Sequence, residues 1–364
     1  MSPSYRIVFY VSGHGFGHSS RIIEVIRAVR ARDPGASLTV KTSAPSRLYD
    51  GIHTEFFQCD TGMVQLDSLH LDEAESVERA RAFHATLGER AASEAAFLRD
   101  TGARLVVGDI PPLAFAAAAD AGLPSIAIGN FTWDWIYEGY GAAAWVGSIR
   151  AAYRKATLAL RLPLAGGFAG LEHATRDIPF IARHSKREAA DVRRWLGVPE
   201  GKTLLLMSFG GYGLAGLDTS ALGGLREHAV VTTDFPTQGN SIKRAPGLIY
   251  LSEQRLYGDG YRYEDLVRAA DAVVTKPGYG IISECLANDT AILYTSRGEF
   301  REYDVLVREM PKYLRAQFIE QADLLAGRWA PPLEKLLSSP RPARKPDTNG
   351  AEAAAEAILA VSEA

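Results

Sequence analysis

The stretch Tyr5-Arg-Ile-Val-Phe-Tyr-Val-Ser-Gly-His-Gly-Phe-Gly-His-Ser-Ser-Arg-Ile-Ile-Glu-Val-Ile26 decides the fold. A short apolar run ends at Val11, the turn Ser12-Gly-His-Gly-Phe-Gly-His18 follows, and Ile22, Ile23, Val25, Ile26 and Val29 then recur at helical spacing. That pattern is a strand, a glycine turn and an amphipathic helix. Outward from it, residues 38–42 and 52–57 read as strands, 72–100 as largely helical, 105–108 as a strand, 113–121 as a helix and 125–128 as a strand. An aromatic-rich helix entrance follows at 133–140. Strand and helix alternating at this spacing make a parallel sheet covered on both faces.

A second series begins after a basic connector at 186–195. The apolar run 203–209 is a buried strand, and Gly210-Gly211-Tyr212-Gly213 follows it directly. Strands are expected at 229–232, 248–251, 272–275 and 291–294, helices at 263–270 and 281–288, a loop at 338–349 and a final helix at 351–361. The fold class is therefore α/β, with two parallel units in tandem. Residues 1–165 form the first, 166–200 a linker, 201–340 the second, and 350–364 a terminal helix able to pack back on the first.

A length of 364 residues suits two domains, and 47% apolar with 23% charged residues supplies ample core. No apolar run approaches the roughly 20 residues of a membrane span, and residues 1–5 lack the pattern of a secretion signal. Cys59 and Cys285 stand far apart, so no disulfide framework is expected and a reducing cytoplasm is the natural setting. With 40 Lys and Arg against 43 Asp and Glu, nothing favours a nucleic-acid partner.

The glycine turns limit the chemistry. A dinucleotide fingerprint would place an acidic residue at the end of the second strand, where Lys41-Thr42-Ser43 stands, and neither turn ends in the Gly-Lys-Ser/Thr of a P-loop. What remains is a pair of anion-receptive strand-to-helix edges. At the first, His18 reads either as a helix cap or as a general base oriented by Asp109, which ends another strand at the same edge. Asp109 itself has the alternative of capping the helix near Leu113. At the second, Glu284 reads either as a ligand for a ribose diol or as a helix-start acid favouring the macrodipole. Trp133, Trp135, Tyr137 and Tyr140 offer faces for a sugar or an apolar aglycone, or simply pack the domain. Residues 145–164 mix apolar side chains with Arg150, Arg154, Lys155 and Arg161. They suit a solvated helix face, or a membrane surface where a lipid-linked acceptor would be met.

Taken together, these motifs resemble a known family. Ser12-Gly-His-Gly-Phe-Gly-His18 with Arg21, Asp60-Thr-Gly-Met-Val-Gln65, Ala117-Ala-Ala-Asp-Ala-Gly122 and Asn130-Phe-Thr-Trp-Asp-Trp-Ile-Tyr137 are similar to the glycosyltransferase-like N-terminal domain of plant L-arabinokinases. The likeness continues through Ser208-Phe-Gly-Gly211, Lys276-Pro-Gly-Tyr-Gly280 with Ser283-Glu284, Leu325-Ala-Gly-Arg-Trp329 and Asn349-Gly-Ala-Glu352, covering essentially the whole chain. The sugar-kinase domain that follows in arabinokinases has no counterpart before Ala364, so kinase activity is not expected.

More distantly, the layout resembles GT-B glycosyltransferases of the family 28 and family 1 type. That implies two facing Rossmann-like domains with an interdomain cleft, acceptor mainly on the first and nucleoside-diphosphate sugar on the second. His18 with Asp109 is then the base. The donor side takes in Ser208, Gly210, Gly211, Lys276, Gly278, Tyr279, Gly280, Ser283 and Glu284, with Arg297, Glu299 and Arg301 in the loop after a late strand. The acceptor side takes in His14, Phe16, Gly17, Trp133, Asp134 and Trp135. The chain departs from the family in that loop, where the usual Asp/Gln or Gln-Gln is replaced by Arg297-Gly-Glu-Phe-Arg-Glu-Tyr303. The second Glu of retaining relatives is missing, and so is any Asp-x-Asp run. The implied activity is an inverting, metal-independent transfer with no cofactor beyond the sugar nucleotide. A nucleotide-sugar 2-epimerase using Glu299 and Glu302, and a non-catalytic nucleotide-sugar-binding protein, are the competing readings.

Overall fold

The computed structural model describes residues 5–141, 144–210, 213–222, 225, 227–233 and 241–363. Seven strands form the first sheet: β1 (Arg6–Val11), β2 (Ser37–Thr42), β3 (His53–Phe56), β4 (Ala103–Asp109), β5 (Ser125–Phe131), β6 (Leu158–Gly166) and β7 (Thr175–Asp177). Their order is β3-β2-β1-β4-β5-β6-β7, with every neighbouring pair parallel. β1 and β5 are buried along nearly their whole length, as their unbroken apolar runs require of a sheet covered on both faces.

The second sheet comprises β8 (Thr203–Ser208), β9 (His228–Thr232), β10 (Ile242–Ala245), β11 (Leu248–Leu251), β12 (Ala272–Thr275), β13 (Ala291–Tyr294) and β14 (Ala316–Phe318). It runs β10-β11-β9-β8-β12-β13-β14 and is parallel except for the edge pair β10–β11. In both sheets the strand order reverses beside the first strand, between β1 and β4 and between β8 and β12. The carboxyl ends of an open α/β sheet at such a switch point are where ligands bind.

Three helices set the site. α1 (Phe16–Arg32) buries Ile22, Val25, Ile26 and Val29 in the core shared with β1 and β2. α2 (Tyr279–Asn288) starts at the switch point of the second sheet. α3 (Gly350–Glu363) returns to pack on α1, with Gly350 N–H donating to Phe180 O at 2.9 Å. A Cβ on Gly350 would lie 2.2 Å from Pro179 O, so only glycine lets the chain turn back so closely.

The structure revises several sequence expectations. Residues 145–164 are not one helix: a helix at Val146–Tyr153 is followed by β6, in which Ala159, Leu160 and Leu162 are buried. The apolar residues read as a surface-facing stretch are mostly a buried strand, and Arg161 pairs with Asp177 on β7 at 2.6 Å. The first sheet also runs past residue 165 to take in β7, inside the stretch read as linker. The helical region 72–100 breaks at Thr86 into Glu73–Ala85 and Leu87–Asp100, with Gly88 accommodated inside the second. No helix of the described residues is long and apolar enough to cross a membrane.

Candidate active site

The turn after β1 brings His18 into the first turn of α1, where its ring meets the carboxyl end of β4. Gly15, at φ 73°, is the residue before the helix, and no side chain caps it. His18 is therefore not the cap. Nor does Asp109 cap the next helix, whose N-cap position is held by Pro111. The two side chains meet each other instead, His18 Nδ1 lying 2.8 Å from Asp109 Oδ1. Both are buried.

Arg21, one turn along α1 from His18, completes the pair. Its Nε donates to Asp109 Oδ2 at 2.5 Å and its Nη2 to Oδ1. Burial pushes the Asp109 carboxyl up, but the charges of Arg21 and His18 outweigh it and hold the group below its usual range. An ionised carboxylate only accepts, so the His18 proton is assigned to Nδ1 and the lone pair to Nε2. The 2.9 Å approach of Arg21 Nη2 to His18 Nδ1 then follows from two donors converging on one oxygen.

His14 is a different kind of histidine. Burial first, then the positive charges of Arg297, His18 and Lys276, hold it well below the ordinary imidazole range. Its Nδ1 accepts from Met63 N–H at 3.2 Å, so the neutral ring carries its proton on Nε2 and acts as a donor. Trp133 meets its ring edge-to-face at a centroid distance of 5.8 Å. Gly62, at φ 60°, packs so closely that a Cβ there would lie 2.6 Å from His14 Cβ. Asp60 accepts from Ser12 Oγ at 3.1 Å and from Trp133 Nε1 at 2.9 Å. It ties the turn to the strand-β5 end.

The second unit faces this edge. A Cβ on Gly280 would lie 3.2 Å from Gly17 Cα, so the amino ends of α1 and α2 meet through two glycines. Tyr279 lies with its ring 5.4 Å from the Arg21 guanidinium carbon, and Ser283 Oγ donates to Gly280 O at 2.9 Å. Arg297 is buried against Phe300, donating from Nη1 to Pro277 O at 3.3 Å. Its Nε is a buried donor with no acceptor among the described residues. Glu302 lies 3.8 Å from Arg297 and accepts from Asn130 Nδ2 at 2.7 Å.

The remaining expected residues fall into three groups. Ser208 accepts from Tyr263 O–H at 2.6 Å at the end of β8, Gly210 follows at φ 76°, and Gly211 lies outside the described residues. Gly278 precedes α2, Phe16 is exposed at its tip of α1, and Glu299 is exposed with its carbonyl accepting from Tyr140 O–H. Arg301 rests on the Trp135 ring at 4.7 Å. By contrast, Trp133 and Tyr137 are wholly buried and stacked, and buried Asp134 is taken up by Arg150 at 3.0 Å. Trp133 backs His14, and Tyr137 backs Trp133 in turn.

Glu284 stands in the second turn of α2, not at its start, so it does not answer the helix dipole. Its Oε1 accepts from Arg183 Nε at 2.8 Å and Nη2 at 2.5 Å. Burial pushes this carboxyl up while Arg183 opposes the shift. Among the described residues, no three His, Cys, Asp or Glu side chains are grouped to hold a metal ion.

Sequence alone places Arg21 and Asn130 only in the motifs of the resemblance and Glu302 only in the epimerase alternative, whereas the structure joins all three to the His18–Asp109 pair. Arg21 had a signal, standing three residues after His18 on one helix face. Asn130 and Glu302 are 172 positions apart and had none.

Comparison with known proteins agrees with this architecture. UGT2 from Phytolacca americana, solved with UDP-2-fluoro-glucose and pterostilbene, superposes with a TM-score of 0.59 at 14% identity, over 99% of this chain and 94% of that one. MurG from Acinetobacter baumannii superposes at 0.55 with 13% identity, over 98% and 100% of the two chains. The chain has the GT-B fold. In sequence, the L-arabinokinase of Arabidopsis thaliana is 30% identical over 98% of this chain, which spans 34% of that protein's length. The resemblance to the N-terminal domain of arabinokinases thus extends over the whole GT-B chain. No protein-family model matches the sequence.

Proposed function

We propose that the chain is a glycosyltransferase that moves a sugar from a nucleoside-diphosphate sugar to an acceptor hydroxyl, with inversion and without a metal ion. The observation that carries this reading is the His18–Asp109 pair, with Nδ1 2.8 Å from the carboxylate, where the amino ends of α1 and α2 meet. In this scheme Nε2 takes the acceptor proton as the hydroxyl oxygen attacks the anomeric carbon. The bond from that carbon to the diphosphate oxygen breaks, and the leaving diphosphate keeps the electron pair. The peptide N–H groups opening α2, with Lys276 and Arg297, supply positive potential for that charge. His14, neutral and donating from Nε2, offers a further hydrogen bond to donor or acceptor.

Glu284 is assigned to the ribose by family resemblance, and with Oε1 held by Arg183 the diol would be met by Oε2. The acceptor is a small molecule or a lipid-linked hydroxyl reached beside Phe16 and Trp135. Cys59 and Cys285, both buried and unpaired, support a cytoplasmic setting. An epimerase reading has less support, because Glu302 is already engaged by Asn130 and Glu299 is exposed.

The test is a melting-temperature screen over UDP-, GDP- and dTDP-sugars in excess EDTA, since a ligand at about 100 times its Kd adds about 2.7 kcal/mol of stability. The expected result is a shift with one sugar nucleotide that persists in EDTA, followed by glycoside formation over an acceptor panel. A shift seen only with added magnesium or manganese contradicts the metal-independent scheme. No shift with any donor contradicts the transferase reading, and binding without turnover of any acceptor replaces it with the non-catalytic one.

A further inference from the structure

Asp109 is held from two sides, and the second hold leads across the molecule. Arg21 grips both carboxylate oxygens, and its remaining terminal nitrogen, Nη1, donates to Asn130 Oδ1 at 2.8 Å. An amide that accepts through Oδ1 presents its N–H groups on the opposite side. Asn130 Nδ2 donates there to Glu302 Oε1 at 2.7 Å. Glu302 begins the helix Glu302–Glu309 of the second unit and is paired with Arg297 at 3.8 Å. Arg21, Asp109, Asn130 and Glu302 are all buried. The result is one continuous chain of charged and amide groups, His18–Asp109–Arg21–Asn130–Glu302, whose last member belongs to the unit opposite the base.

The direction of each bond is fixed by chemistry. Guanidinium donates only, so Asn130 must turn its oxygen to Arg21. Its nitrogen must then find an acceptor, and the carboxylate of Glu302 supplies one. A buried amide left without that acceptor carries an unmet donor that favours its turning out toward solvent, and Arg21 Nη1 would lose its partner with it.

We propose that Arg21 is a positioning residue holding Asp109 against His18 Nδ1, and that Asn130 and Glu302 make this hold depend on the second unit being in place. The base is then assembled only when the face bearing Arg297 and α2 is seated against the first unit. Calling His18 a base rests on the transferase reading; the coupling between Glu302 and the His18 ring does not.

The two are separated by a spectrum that needs no substrate. Protein carrying ¹⁵N-labelled histidine is examined at alkaline pH, with the His18 signals identified by their loss in His18→Gln. Wild type should show a protonated Nδ1 well separated from an unprotonated Nε2. Asn130→Leu and Glu302→Ala should each collapse that separation toward the average of two tautomers. Glu302→Gln, which keeps an oxygen for Asn130 Nδ2, should preserve it. A merely structural role for these residues would lower melting temperature without moving the His18 signals. If Asn130→Leu does not fold, Glu302→Ala carries the comparison. Retained separation in a folded Asn130→Leu or Glu302→Ala protein overturns the proposal. Calorimetry with UDP on the same proteins reads the transferase question independently. UDP binding with unmoved His18 signals defeats the coupling alone, and moved signals without UDP binding defeat the donor reading alone.

Discussion

At Asp109 a single carboxylate serves an arginine and a histidine, and this sets what substitution there will show. The Arg21 guanidinium and the carboxylate are both buried, so neutralising Asp109 leaves an uncompensated charge in the interior. Breaking such a pair costs about 3–5 kcal/mol. Asp109→Asn should therefore destabilise the protein by that order in urea unfolding, and Arg21→Met in the same background should recover part of the loss. Strict additivity of the two changes would show that they do not act as a unit. The sequence alone made His18 and Asp109 legible because each follows a buried strand at a glycine or proline turn, a local pattern. It could not yield Arg21's grip on both oxygens, which joins side chains 88 positions apart within the first unit, nor the Asn130–Glu302 contact, which depends on how the two units meet. For the same reason Trp133 and Asp134 read as cleft residues. An aromatic cluster at a strand end looks alike whether it faces a ligand or backs a histidine.

Between elements, the contact of α1 with α2 rests on an asymmetric pair of glycines. A Cβ on Gly280 would approach Gly17 Cα to 3.2 Å, whereas a Cβ on Gly17 would come no nearer than 3.8 Å to Gly280 N. The first is tighter than most real Cβ contacts, so the facing backbone must give by a few tenths of an ångström, and the second is ordinary contact. Gly280→Val should lower stability by about 1–3 kcal/mol, the usual cost of overpacking, while Gly17→Ala should be neutral or slightly stabilising. Equal effects from both would mean that the helix ends do not meet as described. Elements of this kind were largely readable beforehand, because β1, β4, β5, β8, β12 and β13 are apolar runs bounded by turns. The failures have physical causes. β7, β10 and β14 are short, partly exposed edge strands with no run to detect. In β6, Arg161 interrupts the apolar pattern, and its ion pair with Asp177 across the sheet edge, with the Phe168 ring 5.9 Å from its guanidinium carbon, accounts for its presence there.

For the whole molecule, stability should fall on the acid side well before the carboxylates titrate. Burial lowers His84 to about 4, and neither ring nitrogen has a hydrogen-bond partner among the described residues. Burial and neighbouring cations hold His14 well down as well. Both rings stay neutral in the folded protein while the unfolded chain takes up protons below about 6.5. Stability is thus complete above that pH and declines as pH falls from there toward 4, by roughly 3 kcal/mol for His84 alone. Asp109, depressed by Arg21 and His18, adds a further loss below the ordinary carboxylate range. His84→Phe should flatten the upper part of this profile in urea titrations from pH 7 to about 4. An unchanged slope would mean that His84 is protonated in the folded state.

In the proposed transfer His18 removes the acceptor proton while the donor is held by the other unit. The decisive comparison is wild type against His18→Ala in EDTA. It uses whichever sugar nucleotide gives the melting shift and reads both nucleoside-diphosphate release over a panel of hydroxyl acceptors and calorimetric affinity for the nucleoside diphosphate. General-base help is worth about 10²–10⁴-fold. A fall of that order in release is expected, with affinity for the nucleoside diphosphate nearly unchanged. Wild-type release from a folded His18→Ala protein, or loss of nucleotide affinity with retained release per bound donor, would contradict it.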